Sequence, residues 1–415
     1  MSQPPSRSSG AMPLRDAATR VVRVLQSAGH EAVFAGGCVR DMVMRRRPSD
    51  YDVATAATPR QVLSLFRRTQ KVGAKFGVVL VRLGGHSIEV ATFRRDLQYA
   101  DGRHPVAVQF TDAREDALRR DFTINGMFYD PISRQVVDHV GGRADIRRRI
   151  IRAIGEPARR FAEDHLRMLR AIRFAARLRF KIDRATWSAI KAHAPDIAKI
   201  SSERIREELD MILTDAARGQ SFEMLRDSGL LEHLWHGAGR LTAHADRTSS
   251  FLNALPARAS FEPAFAALLH RFSPAEVVAA CDALRCSNFT QRTVAWLVAR
   301  LEDVLTPDDL SLADLKMLMS HPAFGDLLVL CGARLKAYGL PTSAYRKLSR
   351  RAKVIRPQDV APPPLLTGHD LERLGVKAGP IYKKILDRVY YAQLDGQVSN
   401  KSAALAHARQ LLEEG

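Results

Sequence analysis

The stretch Gly36-Gly37-Cys38-Val39-Arg40-Asp41, followed closely by Ser49-Asp50-Tyr51-Asp52-Val53, decides the reading of this chain. Ala32–Ala35 before it reads as a strand, and the two glycines break that strand. A helix is expected from Val39 to about Arg46, ended by Pro48, and Tyr51–Thr55 reads as a second strand. Strand residues i and i+2 point to one face, so Asp50 and Asp52 project together, close enough to share hard cations. Magnesium takes oxygen ligands, often one or two carboxylates plus substrate phosphates. Two such ions about 3.5–4 Å apart can activate an attacking hydroxyl and stabilise a leaving pyrophosphate. Glu89, in Ile88-Glu89-Val90, offers a third carboxylate able to face the pair across a sheet. At Gly36–Gly37, backbone N–H groups can approach phosphate oxygens, helped by a helix start, and Arg40 adds a fork of donors. A D-x-D alone is most often a turn or a solvated edge, and a Gly-Gly turn alone is only a turn. Their close succession is what makes them specific.

Working outward, Leu14–Ala28 has helical periodicity with Gly29 as its stop, and residues 1–13 read as a disordered tail. Residues 59–68 read as a helix. Val78–Leu83 and Ser87–Phe93, joined by Gly84–Gly85, read as a hairpin. Residues 95–110, polar and carrying Asp101–Gly102, read as a loop. Beyond residue 155 helical periodicity dominates, with Pro357 and Pro362–Pro364 marking a linker before a last helical segment, 369–413.

Composition narrows the partners. Of 415 residues, 46% are hydrophobic and 26% charged, which is ordinary for a globular protein. Lys and Arg number 64 against 45 Asp and Glu, a net charge of +19 that favours a polyanion. The four cysteines form no C-x-x-C pair, no apolar run approaches a membrane span, and the N-terminus lacks the apolar core of a signal peptide. These features point to the cytoplasm, with no membrane partner, and make nucleic acid the expected polyanion. The oligomeric state is left open.

Five motifs in order now give a resemblance. Gly36 to Asp41 with Asp50 to Thr55 matches G-G-x-V-R-D, spacer, D-x-D-[VI]-x-T. Arg119-Arg120-Asp121-Phe122-Thr123-Ile124-Asn125 matches R-R-D-F-T-I-N. Asp138, Gly141, Gly142, Asp145 and Ile146 match D-x-x-G-G-x-x-D-[IL]. Glu163, Asp164, Arg167 and Arg170 match E-D-x-x-R-x-x-R, and Ser202-Glu203-Arg204-Ile205 with Glu207-Glu208-Leu209 matches the last motif. From about residue 31 to 215, and more weakly near the C-terminus, the chain resembles the class II tRNA nucleotidyltransferase and bacterial poly(A) polymerase family, within the polymerase-β-like superfamily.

The resemblance implies an α+β fold: a nucleotidyltransferase head with a mixed sheet and helices (14–153), then an all-α neck (154–217), body (218–355), and linker with RNA-binding tail (356–415). It implies that Asp50 and Asp52 bind Mg2+ and that Gly37, Arg40 and Arg120 contact the nucleotide; Glu89, from its place in the second hairpin strand, is taken as a further catalytic carboxylate, and Gly36 as part of the nucleotide-binding turn. Asn125 would reach the sugar, Asp164 and Arg167 would read the base, and Arg170 would join the nucleotide site. On a helix, residues i and i+3 are neighbours, so the Asp164 acceptor and Arg167 donor could match the amino group and ring nitrogen shared by cytosine and adenine. Uracil and guanine would leave both contacts mismatched, at roughly 1–3 kcal/mol each. Arg167, Arg170, Arg173 and Arg177 share one face of that helix, with Arg177 read as its solvated end.

There are departures. Met42-Val43-Met44-Arg45 replaces a frequent L-L-G, and His165 replaces a usual proline, read as a packing or solvent residue. Leu268-Leu269-His270-Arg271 lacks the His-Asp pair of relatives with a phosphohydrolase domain, so no second catalytic centre is expected. The loop with Arg94, Asp96, Asp101, Gly102 and Arg103 resembles one in CCA- and A-adding members, and Val72–Gly77 looks more like the tRNA enzymes. Lys377, Lys383, Lys384 and Arg388 in the tail could meet phosphates. The expected function is template-independent addition of CCA, or its terminal A, from CTP and ATP to the 3′ end of tRNA. The alternatives are a poly(A) polymerase acting on RNA 3′ ends and a noncatalytic RNA-binding protein on the same fold.

Overall fold

Helix α1 (Leu14–Ser27) forms because Ala17, Ala18, Val21, Val22 and Leu25 recur on one face, and all five are buried. In this computed structural model residues 12–71, 77–99, 105–304, 310–376 and 379–413 are described. The expectations for residues 1–11, for most of Val72–Gly77, and for Asp101, Gly102, Arg103 and Lys377 lie outside them. Met12, assigned to the tail from sequence, is held: its carbonyl lies 2.7 Å from Nε2 of His86.

The head alternates β1 (Ala32–Ala35), α2 (Gly37–Val43), β2 (Asp52–Thr55), α3 (Pro59–Leu65), β3 (Thr69–Lys71), β4 (Val78–Leu83), β5 (His86–Thr92), β6 (Arg94–Tyr99), β7 (Pro105–Phe110) and α4 (Ala113–Leu118). After them come β8 (Met127–Asp130), β9 (Gln135–Asp138), α5 (Gly142–Arg148) and β10 (Ile150–Ile151). Seven strands make one sheet in the order β3-β4-β5-β2-β1-β8-β9. It is mixed: β2 and β5 run parallel with Val53 opposite Val90, while β1 is antiparallel to both β2 and β8.

Alternation along the strands sorts side chains between two cores. Phe34, Val53, Ile88 and Val90 pack with α1 on one face. Val33, Ala35, Ala54, Phe93 and Phe128 pack with Ala113 and Ala117 of α4 on the other.

The segment 95–110, read as a loop, is instead a two-stranded antiparallel ladder, β6 against β7, with Arg94 opposite Phe110 and Tyr99 opposite Pro105. Leu97, Tyr99, Val106 and Val108 are strand-favouring residues spaced by two. The polar residues between them hid that alternation.

The chain divides into two compact units, one ending at Ile212 but taking back Gln220–Arg240, the other holding Leu213–Gly219 and Leu241 onward. In the first unit the head is followed by α6 (Pro157–Glu163), α7 (Leu166–Leu178), β11 (Lys181–Ile182), α8 (Arg184–His193) and α9 (Ser202–Leu213). Two-residue β11 pairs in parallel with β10, a short exception to the helical reading of this region. The second unit is helical among its described residues. Its last segment has a core of its own, built from Leu366, Leu371, Ile385, Val389, Ala404 and Ala408. No described helix is long and apolar enough to cross a membrane.

Candidate active site

The β1–α2 turn is made by Gly36, whose φ of +75° is a backbone conformation that side-chain-bearing residues rarely adopt. Its open side is where Nη1 of Arg120 points: a Cβ on Gly36 would lie 3.2 Å from that nitrogen. Across the turn, Tyr51 is buried while Asp50 and Asp52 are exposed, so both carboxylates emerge on one side of the chain. Only Asp52 belongs to β2; Asp50 sits on its approach. Asp52 leaves the sheet on the Ala54 face. Glu89 leaves on the same face from the adjacent parallel strand, because its neighbours Ile88 and Val90 fill the opposite core.

The carboxylates are felt electrically. The Asp52 pKa is pushed up to about 6, by desolvation first and then by the charges of Glu89 and Asp50, with Arg120 opposing. Among the described residues no three His, Cys, Asp or Glu side chains close a metal cage by themselves. A crowded carboxylate pair with open positions suits a hard cation that also takes phosphate oxygens.

These groups line a cavity of about 480 Å³ shared with Gly36, Gly37, Arg40, Asp41, Ser49, Arg119, Arg120, Asp121, Asn125, Asp164, Arg167, Arg170, Phe174 and Arg177. Every nucleotide-binding residue expected from the sequence is on this wall. Glu89 stands beside Asp52 but outside the lining.

Hydrogen bonds fix the arginines. Arg40 Nη1 donates to Asn125 Oδ1 at 2.9 Å, and its Nε donates to Asp41 Oδ1 at 2.9 Å. Asn125 in turn donates to Asp121 at 3.2 Å, and Asp121 Oδ2 accepts from Arg170 Nε at 3.0 Å and Nη2 at 2.7 Å. Burial alone would raise the Asp121 pKa, but Arg170, with help from Asn125 and the Phe122 N–H, holds it at about 2. Phe174 lies under the guanidinium groups of Arg40 and Arg170, each 5.4 Å from its ring centre.

Asp164 and Arg167 share the cavity wall, but not as neighbours on one helix. Asp164 has φ −154° and separates α6 from α7, and its Oδ1 accepts from the Leu166 N–H at 3.2 Å. This local bond competes with helix continuation, so the break falls at the carboxylate. Arg204 holds both Asp164 oxygens at 3.1 Å. Arg167 Nη1 donates to the Arg160 carbonyl at 2.8 Å and to Glu163 at 3.1 Å.

The arginine face of α7 is less solvated than its pattern suggests. Arg173 is buried against Glu208 at 2.7 Å, and Arg177 is exposed at the cavity wall. His165 is buried at the start of α7.

Sequence reasoning assigned no role to Asp116, Asp121, Phe174 or Arg204. Asp116 had a signal, since it stands three and four residues before Arg119 and Arg120, just inside the end of α4. Asp121 and Arg204 stood inside quoted motifs. Phe174 looked like one more apolar residue of α7.

A mixed sheet carrying an acidic pair opposite a glycine turn and converging arginines defines the class: a nucleotidyltransferase. Comparison with known proteins gives the family. Residues 32–152 match the family described as "Poly A polymerase head domain", and residues 179–238 match "Probable RNA and SrmB- binding site of polymerase A". The CCA-adding enzyme of Geobacillus stearothermophilus is 32% identical over 388 residues, covering 92% of this chain and 93% of that one. The CCA-adding enzyme of Lactobacillus johnsonii is 33% identical over 404 residues, covering 94% and 95%. The crystal structure of Bacillus stearothermophilus CCA-adding enzyme in complex with CTP superposes with a TM-score of 0.82 at 31% identity, covering 97% of this chain and 99% of that one. The chain belongs to the CCA-adding tRNA nucleotidyltransferase family.

Proposed function

We propose that this enzyme rebuilds the CCA end of tRNA from CTP and ATP without a nucleic-acid template. The observation that carries the reading is one cavity that brings together an acidic pair, the Gly36–Gly37 turn, Arg40, Arg119, Arg120, Arg170 and Arg177, and the Asp164–Arg167 pair. Full-length similarity to CCA-adding enzymes, one of them solved with CTP, supports tRNA as the RNA and CTP as one donor.

In this mechanism the RNA 3′-hydroxyl oxygen bonds to the α-phosphorus, the bond from that phosphorus to the β-phosphate oxygen breaks, and pyrophosphate leaves as the hydroxyl proton is lost. Arg40 and Arg120 hold the triphosphate beside the Gly36–Gly37 turn, so that the leaving group departs into positive charge. Asn125, oriented by Arg40 and Asp121, meets the sugar, and Asp164 and Arg167 exchange hydrogen bonds with the base edge. Arg170 acts from behind by fixing Asp121. Asp50 and Asp52 hold Mg2+, and Glu89 adds to their negative field. When bound, the cation supplies Lewis-acid stabilisation of the charge that develops on the attacking and departing oxygens.

The functional division proposed is head (14–153), neck (154–217), body (218–355) and linker with tail (356–415), although Gln220–Arg240 packs within the first compact unit. Lys383, Lys384 and Arg388, exposed on the 380–394 helix, are offered to RNA phosphates. The free cysteines fit a reducing cytoplasm.

Three tRNAs test this reading, ending before the first C, after one C and after both, each given CTP or ATP alone. CTP should extend the first two and stop, and ATP should add one residue to the third. A long tail from ATP alone would make the enzyme a poly(A) polymerase instead.

A further inference from the structure

Arg120 owes its orientation to a residue outside every motif quoted above. Asp116, on α4, is 1% exposed. Its Oδ2 accepts from Arg120 Nε at 3.1 Å and Nη2 at 2.9 Å. Its Oδ1 accepts from Arg119 Nε at 2.9 Å and Nη2 at 2.8 Å, and from the Arg94 backbone N–H at 3.2 Å, where β6 begins. With two nitrogens gripped, a planar guanidinium cannot turn, and the third nitrogen of Arg120 is aimed at Gly36. The main chain is clamped as well, since Arg160 Nη2 donates to the Arg120 carbonyl at 2.8 Å and also to that of Arg119. The Phe128 ring supports the guanidinium face at 5.1 Å. Two guanidinium groups against one carboxylate leave the cluster net positive, as a polyphosphate partner requires.

We propose that Asp116 is a positioning residue of the nucleotide site, holding Arg120 in the orientation that receives the triphosphate of either donor nucleotide. This rests on the reading of Arg120 as a phosphate contact. Burial opposes ionisation of Asp116, but Arg120 and Arg119 outweigh it and keep the carboxyl below its ordinary range. The charge that grips Arg120 is therefore present at neutral pH. Because the grip precedes any contact with the base, its loss should weaken CTP and ATP alike.

The test is a double-mutant cycle on the full chain, with KM and kcat for CTP on tRNA lacking CCA and for ATP on tRNA ending in CC. Arg120→Ala should raise both KM values by about tenfold or more. Asp116→Asn should raise both about five- to tenfold, with kcat within about twofold and the CTP-to-ATP preference unchanged. In the Arg120→Ala background, Asp116→Asn should add little, because the group it positions is gone. Should Asp116→Asn fail to fold, Asp116→Glu keeps the negative charge while displacing the fork, and is read in the same cycle. Wild-type KM values in Asp116→Asn, or full additivity with Arg120→Ala, would overturn the role of Asp116 alone. A wild-type KM in Arg120→Ala would overturn the phosphate reading of Arg120, and this proposal with it.

Discussion

Asp52 shows how function and stability oppose each other within one side chain. Its carboxyl is raised to about 6 by partial desolvation and by its acidic neighbours, so at neutral pH the folded protein carries a charge that its surroundings disfavour. The folded state binds this proton more readily than the unfolded chain. The penalty is therefore absent below the unfolded value of 3.8 and complete above about 6. Asp52→Asn removes it. With no divalent cation present, the thermal midpoint should rise by about 2 °C, since the exposed side chain is partly screened by solvent. Nucleotide incorporation by the same variant should fall about a thousandfold or more. A lower midpoint would mean that Asp52 is held by contacts that outweigh the repulsion. Wild-type incorporation would remove it from the reaction.

At the scale of elements, α7 is fastened by ion pairs rather than by its apolar face alone. Arg170 meets Asp121 at 2.7 Å, linking α7 to the segment before β8, and Arg173 meets Glu208 of α9 at 2.7 Å. Arg170→Ala would leave Asp121 as a buried carboxylate that has lost its principal cation. The expected loss is about 2 kcal/mol of stability in denaturant unfolding, less than for a wholly buried pair because Arg170 is about one-third open. Unchanged stability would mean that Asn125 and the Phe122 N–H suffice for Asp121.

The same elements explain what could be read beforehand. Asp50 and Asp52 were legible together from their D-x-D spacing, although only Asp52 lies in the strand and Asp50 reaches the same side from its approach. The Gly36 turn and Arg40 were legible because only a few adjacent residues decide them. Asp164 and Arg167 reach one wall by a different route, because Asp164 breaks the helix that was expected to carry both. The support beneath the site was not legible. Arg204 reaches Asp164 across 40 residues and Arg170 reaches Asp121 across 49, and no local pattern marks such partners. The β6–β7 ladder was hidden by the polar residues that stand among its apolar ones.

For the whole molecule, stability has to be considered unit by unit, because the two compact units have different titrating groups at their cores. The second unit contains His270, 9% exposed, with Nδ1 2.8 Å from the Ala267 carbonyl and Nε2 2.7 Å from the Tyr338 hydroxyl. Only one tautomer satisfies both contacts: Nδ1–H donates to the carbonyl, and Nε2 accepts from the tyrosine. A second proton would turn Nε2 into a donor, so the Tyr338 hydroxyl would have to swing its own hydrogen away and accept instead, and the charge would sit in a buried site. Desolvation is the main cause of the lowered pKa of about 4, with Arg334 and Arg271 adding to it and the Ala267 carbonyl opposing. The unfolded chain, near 6.5, takes up the proton first. The stability due to neutral His270 is thus complete above pH 6.5 and is lost as pH falls towards 4, to a ceiling of about 3 kcal/mol. Calorimetric scans between pH 7 and pH 5 should show the transition carrying the second unit moving to lower temperature. His270→Gln should flatten that slope, since a neutral amide can still donate and accept but cannot take up the proton. An equally steep slope in His270→Gln would assign the acid sensitivity to other groups of the second unit.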